Sequence, residues 1–475
     1  MENRIRQVFD AIKDCVGDKG WHEGDAALPY LRDWYDTING EVGLVVTPTT
    51  TEQVAQVMRL CHVAGIIVTP QGGRTGLVQA STPFEGNVNL VLNLARMNQI
   101  RNLDLIGDTV TVDAGIILEN LREKVAVSGK LFPLSIGAKG SCQIGGNIAT
   151  NAGGINVLRY GNTRDLVLGL EAVLPDGTIW SDMSGLRKDN TGFDIKQLLI
   201  GSEGTLAVIT GAVLKLFPHP TASETAFAGV QEPTDALALL TLAKERLGPD
   251  LCAFELVSHG ALLAAERAIG TAAVALKNAA PWYIICEIAG TKEGEGYQQD
   301  MESFIEAAFE KKLVSDGFLA QNQAQQDAIW RTREAISEGL HHACRHDISV
   351  KVSHMAQVLK ILDAAVTEID PDAEIAPFGH MGDGNLHYAV AIGGDHSSVG
   401  APDVAAKIKA RVYEIVHQNG GSFSAEHGVG RNVQDFTRYK DQVSRGVMSQ
   451  IKQIFDPRNQ MNPGVLFADP RQSGR

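Results

Sequence analysis

Ile136-Gly137-Ala138-Lys139-Gly140-Ser141-Cys142-Gln143-Ile144-Gly145-Gly146-Asn147-Ile148-Ala149-Thr150-Asn151-Ala152-Gly153-Gly154 carries six glycines in nineteen residues. At this density backbone N–H groups can approach a ligand with no side chain in the way. Successive N–H groups form nests suited to anions such as a diphosphate. Two further blocks share the texture: Pro70-Gln71-Gly72-Gly73-Arg74-Thr75-Gly76-Leu77, and Gly201-Ser202-Glu203-Gly204-Thr205 leading into Ala207-Val208-Ile209. One such block reads most simply as a set of tight turns. Three within about 135 residues point to a shared ligand. Neither GxGxxG after a strand nor GxxxxGK[ST] occurs, which disfavours a Rossmann nicotinamide site and a P-loop. A dinucleotide bound through a different cradle remains.

The surroundings alternate helix and strand. Thr49-Thr50-Thr51-Glu52 supplies a capping box, and Val54, Val57, Met58 and Cys61 follow at helical spacing. Gly65 ends that helix, and Ile66-Ile67-Val68 reads as a short buried strand. Residues 166–180 read as two strands joined at Pro175-Asp176-Gly177. After Pro218-His219-Pro220 the texture changes, with helices over 234–247, 299–312 and 356–369 and a strand over 282–288. The fold class expected is α+β. The expected domains are 1–220 (with a helical lead-in over 1–38), 221–425 and 426–475.

A second signature is Phe378-Gly379-His380-Met381-Gly382-Asp383-Gly384-Asn385-Leu386-His387, answered by Ser424-Ala425-Glu426-His427-Gly428. A helix through both histidines would carry Gly382 and Gly384 inside it, at a cost of roughly 1 kcal/mol each against alanine. A tight turn is the better reading, with His380 and His387 facing one another from its arms. Two imidazoles and a carboxylate suit a divalent metal with a position left open for substrate. Imidazole is also the side chain suited to moving a proton near neutral pH. From these residues alone, a metal site and satisfied core histidines are about equally supported.

Composition excludes other classes. The chain has 475 residues, 44% hydrophobic and 21% charged, and a formal net charge of −14. It holds neither a basic run for nucleic acid nor an apolar run long enough for a membrane span. Its six cysteines (15, 61, 142, 252, 286 and 344) form no CxxC pair, so they read as buried thiols. The opening residues lack an apolar signal core, and Glu2, Asp10, Asp14 and Asp18 disfavour a mitochondrial presequence. The location expected on this basis is cytoplasmic.

The three glycine blocks resemble the FAD-binding elements of the vanillyl-alcohol oxidase/p-cresol methylhydroxylase superfamily. The His380–His387 motif, Glu426-His427-Gly428-Val429-Gly430 and Asn462-Pro463-Gly464 resemble its FAD-linked D-2-hydroxy-acid dehydrogenase branch. Phe254-Glu255-Leu256, Pro281-Trp282-Tyr283-Ile284-Ile285 and Trp330-Arg331-Thr332-Arg333-Glu334 are most similar to D-2-hydroxyglutarate dehydrogenases. The resemblance implies a two-part FAD-binding domain, an α+β cap carrying the histidines, and a C-terminal helical segment returning to the flavin. It implies FAD contacts from Pro70, Gln71, Gly72, Gly73, Arg74, Thr75, Gly76, Leu77, Gly137, Ser141, Gly145, Gly146, Asn147, Asn151, Gly153, Gly154, Glu203, Gly204, Ile209 and Asn462. Gly72-Gly73-Arg74 stands where some members carry a tethering histidine, so non-covalent FAD is implied.

By the same resemblance His380, His387 and Glu426 hold a divalent metal, with zinc the best fit, and His427 is the base. The substrate is a small anionic D-2-hydroxy acid, oxidised to the 2-oxo acid by hydride transfer to flavin N5. Electrons then pass to a flavoprotein or quinone, and a homodimer is the default assembly. Arg333 anchors a second carboxylate, with Ser337 one turn on and Arg345 nearby, which favours D-2-hydroxyglutarate. The runner-up is a D-lactate or glycolate dehydrogenase. A metal-dependent hydrolase or lyase is the alternative from another class, but it leaves the glycine blocks unexplained. Ala389, where relatives commonly have asparagine within reach of substrate, is the departure that bears most on substrate identity. Gln79-Ala80, Lys351 and Val433 also depart from the pattern.

Overall fold

The computed structural model describes residues 2–36, 40–83, 89–270, 274, 276–292, 294, 296–394 and 402–469. They form two compact units: Met1–Gly153 with Asn162–Phe217 and Glu426–Arg475, and Gly154–Gly161 with Pro218–Ala425. The short run Gly154–Gly161 belongs to the second unit because Arg159 reaches Asp250 (3.2 Å) and the Ala289 carbonyl there.

The first unit holds two sheets. In one, Leu44–Val46, Asn89–Asn93 and Ile67–Gln71 run parallel, with Trp21–His22 antiparallel at the edge. Leu44, Val45, Val46, Leu90, Val91 and Leu92 are all buried, the pattern of strands covered on both faces. The helix Thr51–Ala64 covers this sheet by burying Val54, Val57, Met58 and Cys61, as the sequence spacing requires. Its cap is Thr50, which accepts from Gln53 N–H, and Gly65 closes it at φ 72°. The reciprocal acceptor is Gln53, taking the Thr49 N–H at 2.8 Å. The second sheet is antiparallel, in the order Ile100–Asp104, Thr109–Asp113, Val208–Lys215, Val167–Val173, Ile179–Asp182. Its last pair is the hairpin expected at Pro175-Asp176-Gly177.

The second unit is built on an eight-stranded antiparallel sheet. Its order is Asp316–Leu319, Ala222–Val230, Trp282–Gly290, Leu251–Ser258, Phe378–His380, Asn385–Ala391, Cys344–Ser349, and Glu374–Ile375 also pairs with Asn385–Ala391. The helices His259–Ile269 and Gln323–Gly339 pack on one face, where Ala264, Ala265, Ile329 and Ile336 share a buried cluster with Phe227, Ile285, Phe378 and Ala389. The opposite face meets Met355–Ile369, through the Tyr388 hydroxyl donating to Asp363 at 2.8 Å.

His346 follows His341 and His342 closely in sequence, but the preceding helix stops at Gly339 and Cys344–Ser349 is a strand. His346 is 1% exposed, and its Nδ1–H donates to the Tyr388 carbonyl at 2.9 Å. Burial depresses its pKa to about 4 from an ordinary 6.5. A base with a depressed folded pKa contributes stability that is present above 6.5 and lost as pH falls towards 4. Between pH 7.5 and pH 5 this residue should cost the fold about 2 kcal/mol. The His346→Gln variant should lose that part of the acid-side slope, read from denaturation midpoints across the range; a slope equal to wild type refutes the assignment.

Candidate functional site

In the first unit the three glycine blocks converge. A Cβ at Gly73 would lie 2.0 Å from the Ser141 carbonyl oxygen, so only glycine lets the first block lie on the second. A Cβ at Gly204 would touch the Pro70 ring at 3.3 Å, which brings the third block onto the first. Gly201 N–H and Glu203 N–H donate to the Ile148 and Ala149 carbonyls at 3.0 and 2.8 Å, joining the third block to the second. The C-terminal loop closes the set, with Asn462 Nδ2 donating to the Ala80 and Glu203 carbonyls at 2.7 and 2.8 Å.

Several of the expected contact residues shape this cradle through their own hydrogen bonds. The Gln71 amide donates to the Tyr30 and Ser81 carbonyls at 2.8 Å each and so holds the loop between them. Arg74 sits at φ 59° with its guanidinium over the Tyr30 ring. Asn151 is left-handed at φ 52°, and its side chain accepts from Arg164 N–H. Gly145 packs on Ala114, and Ile209 is buried in its strand. A Cβ at Gly76, Gly137 or Gly146 would meet nothing within 4 Å. Ser141 is exposed, and Thr75 and Leu77 are half-buried in the loop.

The Glu203 carboxylate is engaged by protein. It accepts the Val429 and Gly430 N–H groups at 2.8 and 2.7 Å, and burial pushes it up to about 7 against those bonds. It therefore holds the 426–430 segment on the cradle. A Cβ at Gly153 would lie 3.0 Å from Glu426 Oε1, so Glu426 lies against the end of the second block.

The cradle fits a large polar ligand. Thr69 Oγ1, Gln143 Oε1, Asn147 Oδ1 and Asn462 Oδ1 are buried with no hydrogen-bond partner among the described residues. Each such group costs about 1–3 kcal/mol if left unsatisfied. Their grouping on three converging backbones is the state expected of a site built for FAD. Gln143 is a residue that sequence reading passed over, although it stands inside the second block.

The second unit carries a different cluster. Antiparallel partners share a sheet face. Glu255 is opposite His380, Phe378 and Asp347 are opposite His387, and Arg345 is opposite Ala389. One face thus presents all of them, and Gln323–Gly339, which carries Arg333, packs on it. The turn between Phe378–His380 and Asn385–Ala391 sets the His380 and His387 rings edge to face at 5.5 Å. Gly384 is required in it, since its φ is 93° and a Cβ would lie 2.3 Å from the Val350 oxygen.

Glu255 joins this cluster together and was not singled out from sequence as a site residue. Its Oε2 accepts from Arg333 Nε at 2.6 Å and its Oε1 from His380 Nδ1 at 2.7 Å. Burial alone would raise its pKa, but the His380 and Arg333 charges overcome this and hold it at about 2. Because a carboxylate only accepts, a proton sits on His380 Nδ1, and in the neutral ring the lone pair is then on Nε2. Arg333 is buried, with its guanidinium 4.7 Å from the Phe378 ring centre. Glu255 uses one of its five N–H donors. Ser337 is exposed and Arg345 half-buried. Glu287, under the same helix, takes Trp330 Nε1–H and Thr225 Oγ1–H at 2.6 and 2.8 Å and is pushed up by burial.

Asp347 orders the second histidine and the chain that follows. Its Oδ1 lies 3.7 Å from His387 Nδ1 and accepts from Asn385 Nδ2, while Oδ2 accepts the Ala425 N–H at 3.1 Å. Ala425 is covalently followed by Glu426 and His427. Ala389, two residues past His387 on the same face, is fully buried in the apolar cluster.

Comparison with known proteins agrees with this architecture. Residues 42–182 match a FAD binding domain, and residues 219–466 match the C-terminal domain of FAD linked oxidases. The fold is that of p-cresol methylhydroxylase (TM-score 0.77, 14% identity, covering 99% of this chain and 98% of that one). It is also that of alkyldihydroxyacetonephosphate synthase (TM-score 0.73, 18% identity, 96% and 84%). Among curated relatives, the D-2-hydroxyglutarate dehydrogenase of Bos taurus is 36% identical over 436 residues, covering 91% of this chain and 78% of that protein. A putative D-lactate dehydrogenase of Schizosaccharomyces pombe is 38% identical over 444 residues (91% and 83%). The D-2-hydroxyglutarate–pyruvate transhydrogenase of Saccharomyces cerevisiae is 32% identical over 445 residues (91% and 88%).

The chain belongs to the FAD-linked oxidases, a class of flavoenzymes with a two-part FAD-binding fold. Within that class it falls in the branch of D-2-hydroxy-acid dehydrogenases.

One expectation is corrected. The cattle and S. pombe relatives are mitochondrial proteins, which overturns the cytoplasmic location expected from the opening residues. Glu2, Asp10 and Asp14 lie in the folded helix Glu2–Val16, which buries Phe9, Ile12 and Val16. The acidity of Asp10 and Asp14 belongs to the exposed face of that helix. No helix among the described residues is long and apolar enough to cross a membrane.

Proposed function

We propose that this enzyme oxidises D-2-hydroxyglutarate to its 2-oxo acid, with FAD and a divalent metal, zinc fitting best. The observation that carries this reading is the Glu255 bridge, which sets a buried guanidinium beside an imidazole pair on one sheet face. A dicarboxylate needs a cation away from its reacting end; a monocarboxylate does not. The relatives from cattle and S. cerevisiae are named for 2-hydroxyglutarate, which supports the same choice.

His380 and His387 would hold the metal with Glu426, and the His380 tautomer fits this role because a carboxylate-held Nδ1–H leaves Nε2 basic. Bound metal supplies Lewis acidity that acidifies the substrate hydroxyl, and bound FAD supplies the two-electron sink. The chain's own residues do the rest. Arg333 anchors the distal carboxylate through its remaining N–H donors, with Arg345 adding positive charge. His427 takes the hydroxyl proton. The Glu203 hydrogen bonds to Val429 and Gly430 fix the backbone that carries His427 and Glu426. A flavoprotein or quinone would serve as the final electron acceptor.

The test is a visible absorption spectrum of the purified, metal-replete protein before and after anaerobic addition of D-2-hydroxyglutarate. Bleaching of the flavin band within one turnover is the expected result. A flavin that bleaches with D-lactate and not with D-2-hydroxyglutarate favours the second reading, a D-lactate dehydrogenase, which the apolar Ala389 and the S. pombe relative would then explain.

A further inference from the structure

Above, Glu255 serves only to hold the His380 Nδ1–H, yet it also ties that imidazole to the guanidinium of Arg333. Its side chain is 1% exposed, and both oxygens are committed: one to Arg333 Nε at 2.6 Å, the other to His380 Nδ1 at 2.7 Å. The three residues come from separate elements, the strand Leu251–Ser258, the helix Gln323–Gly339 and the strand Phe378–His380. It is the only charged residue in its strand, which is otherwise buried and mostly apolar, where a carboxylate costs several kcal/mol unless fully paired.

We propose that Glu255 is a positioning residue that locks the distal-carboxylate anchor Arg333 to the metal-facing imidazole His380, and thereby sets the length of dicarboxylate the enzyme accepts. This rests on the roles given above to Arg333 and His380. Two short hydrogen bonds to one buried carboxylate fix the spacing between guanidinium and imidazole. Neither group can slide along the sheet face without breaking its bond, so the spacing acts as a ruler. The same carboxylate fixes which imidazole nitrogen bears the proton. An amide cannot replace it. Glutamine offers one acceptor and one donor, so its N–H₂ must oppose either Arg333 Nε–H or His380 Nδ1–H. The first case expels the guanidinium; the second flips the imidazole and puts a proton on the nitrogen that faces the metal.

The experiment compares wild-type holoenzyme with Glu255→Gln. Zinc affinity, measured by competition with a chromophoric chelator, should fall about 10–100-fold. The ratio of kcat/KM for D-2-hydroxyglutarate over D-lactate should fall at least tenfold, chiefly through KM for the diacid. A merely structural ion pair would lower thermal stability and leave both quantities in place. A folded, flavin-bound variant that keeps zinc affinity and diacid preference within threefold of wild type overturns the proposal. Should the variant fail to fold, the histidine-labelled wild type decides: ¹⁵N shifts of metal-free protein, assigned with His380→Asn, must show Nδ1–H on His380, and an Nε2–H tautomer overturns the proposal. A wild type that takes up no zinc, or shows no diacid preference, instead defeats the functional reading and this proposal with it.

Discussion

The His427→Ala variant will retain FAD and lose about 10²–10⁴-fold in kcat, the usual contribution of a positioned general base. The expectation follows from how the segment is held. The backbone just after His427 is held by the Glu203 carboxylate on the Val429 and Gly430 N–H groups and by Arg431 N–H donating to the Val78 carbonyl. These backbone bonds and the glycine cradle do not depend on the ring and remain when it is removed. The flavin band and its absorbance maximum should match wild type. If the lost group is the proton acceptor, added imidazole should restore part of the rate in proportion to its concentration. Stopped-flow reduction of the flavin by D-2-hydroxyglutarate reads both effects. A loss below tenfold means that another group takes the proton.

Much of this site was legible because its chemistry is local in the chain. Gly382 and Gly384 disfavour a helix, so a turn with His380 and His387 facing each other is the better reading of the stretch, and the two rings do meet across one. The capped helix Thr51–Ala64 and the hairpin at Pro175-Asp176-Gly177 follow from side chains within a few residues. The glycine blocks announce a backbone cradle, although only the fold reveals that Gly73 lies on Ser141 and Gly204 on Pro70. What sequence hid is what long-range pairing decides. Glu255 is separated from Arg333 by 78 residues and from His380 by 125, and within Leu251–Ser258 it looks like a polar interruption of an apolar strand. That interruption was the available signal. His346 is hidden for the opposite reason, since it stands a few residues after His341 and His342, where the chain has already turned into a buried strand. Glu203 reads as a ligand contact by its place in a glycine block, while its buried carboxylate serves the chain 226 residues away.

The second large effect is expected at a residue given no part in the reaction. Lys452 is buried in the helix Gln442–Phe455, where its ammonium donates to the Thr205 and Met461 carbonyls at 2.8 and 2.9 Å and to Asp456 Oδ2 at 2.5 Å. Asp456 in turn accepts the Gln460 and Met461 N–H groups at 3.0 and 2.7 Å. This pair therefore joins the third glycine block to the loop that ends in Asn462, whose amide clasps the Ala80 and Glu203 carbonyls. Lys452→Met keeps the volume and removes the charge, which strands a carboxylate that is 1% exposed. Breaking one side of a buried pair costs about 3–5 kcal/mol, whereas removing both sides costs far less. The single variant should accordingly unfold at a much lower denaturant concentration and release FAD more readily. Lys452→Met combined with Asp456→Asn should recover more than half of the lost stability, because the stranded charge is gone. Flavin affinity should recover less, since the tie between Thr205 and Met461 stays broken. Equal recovery of both would show that Lys452 acts on stability alone, and a single variant within about 1 kcal/mol of wild type would show that the buried charge finds another partner.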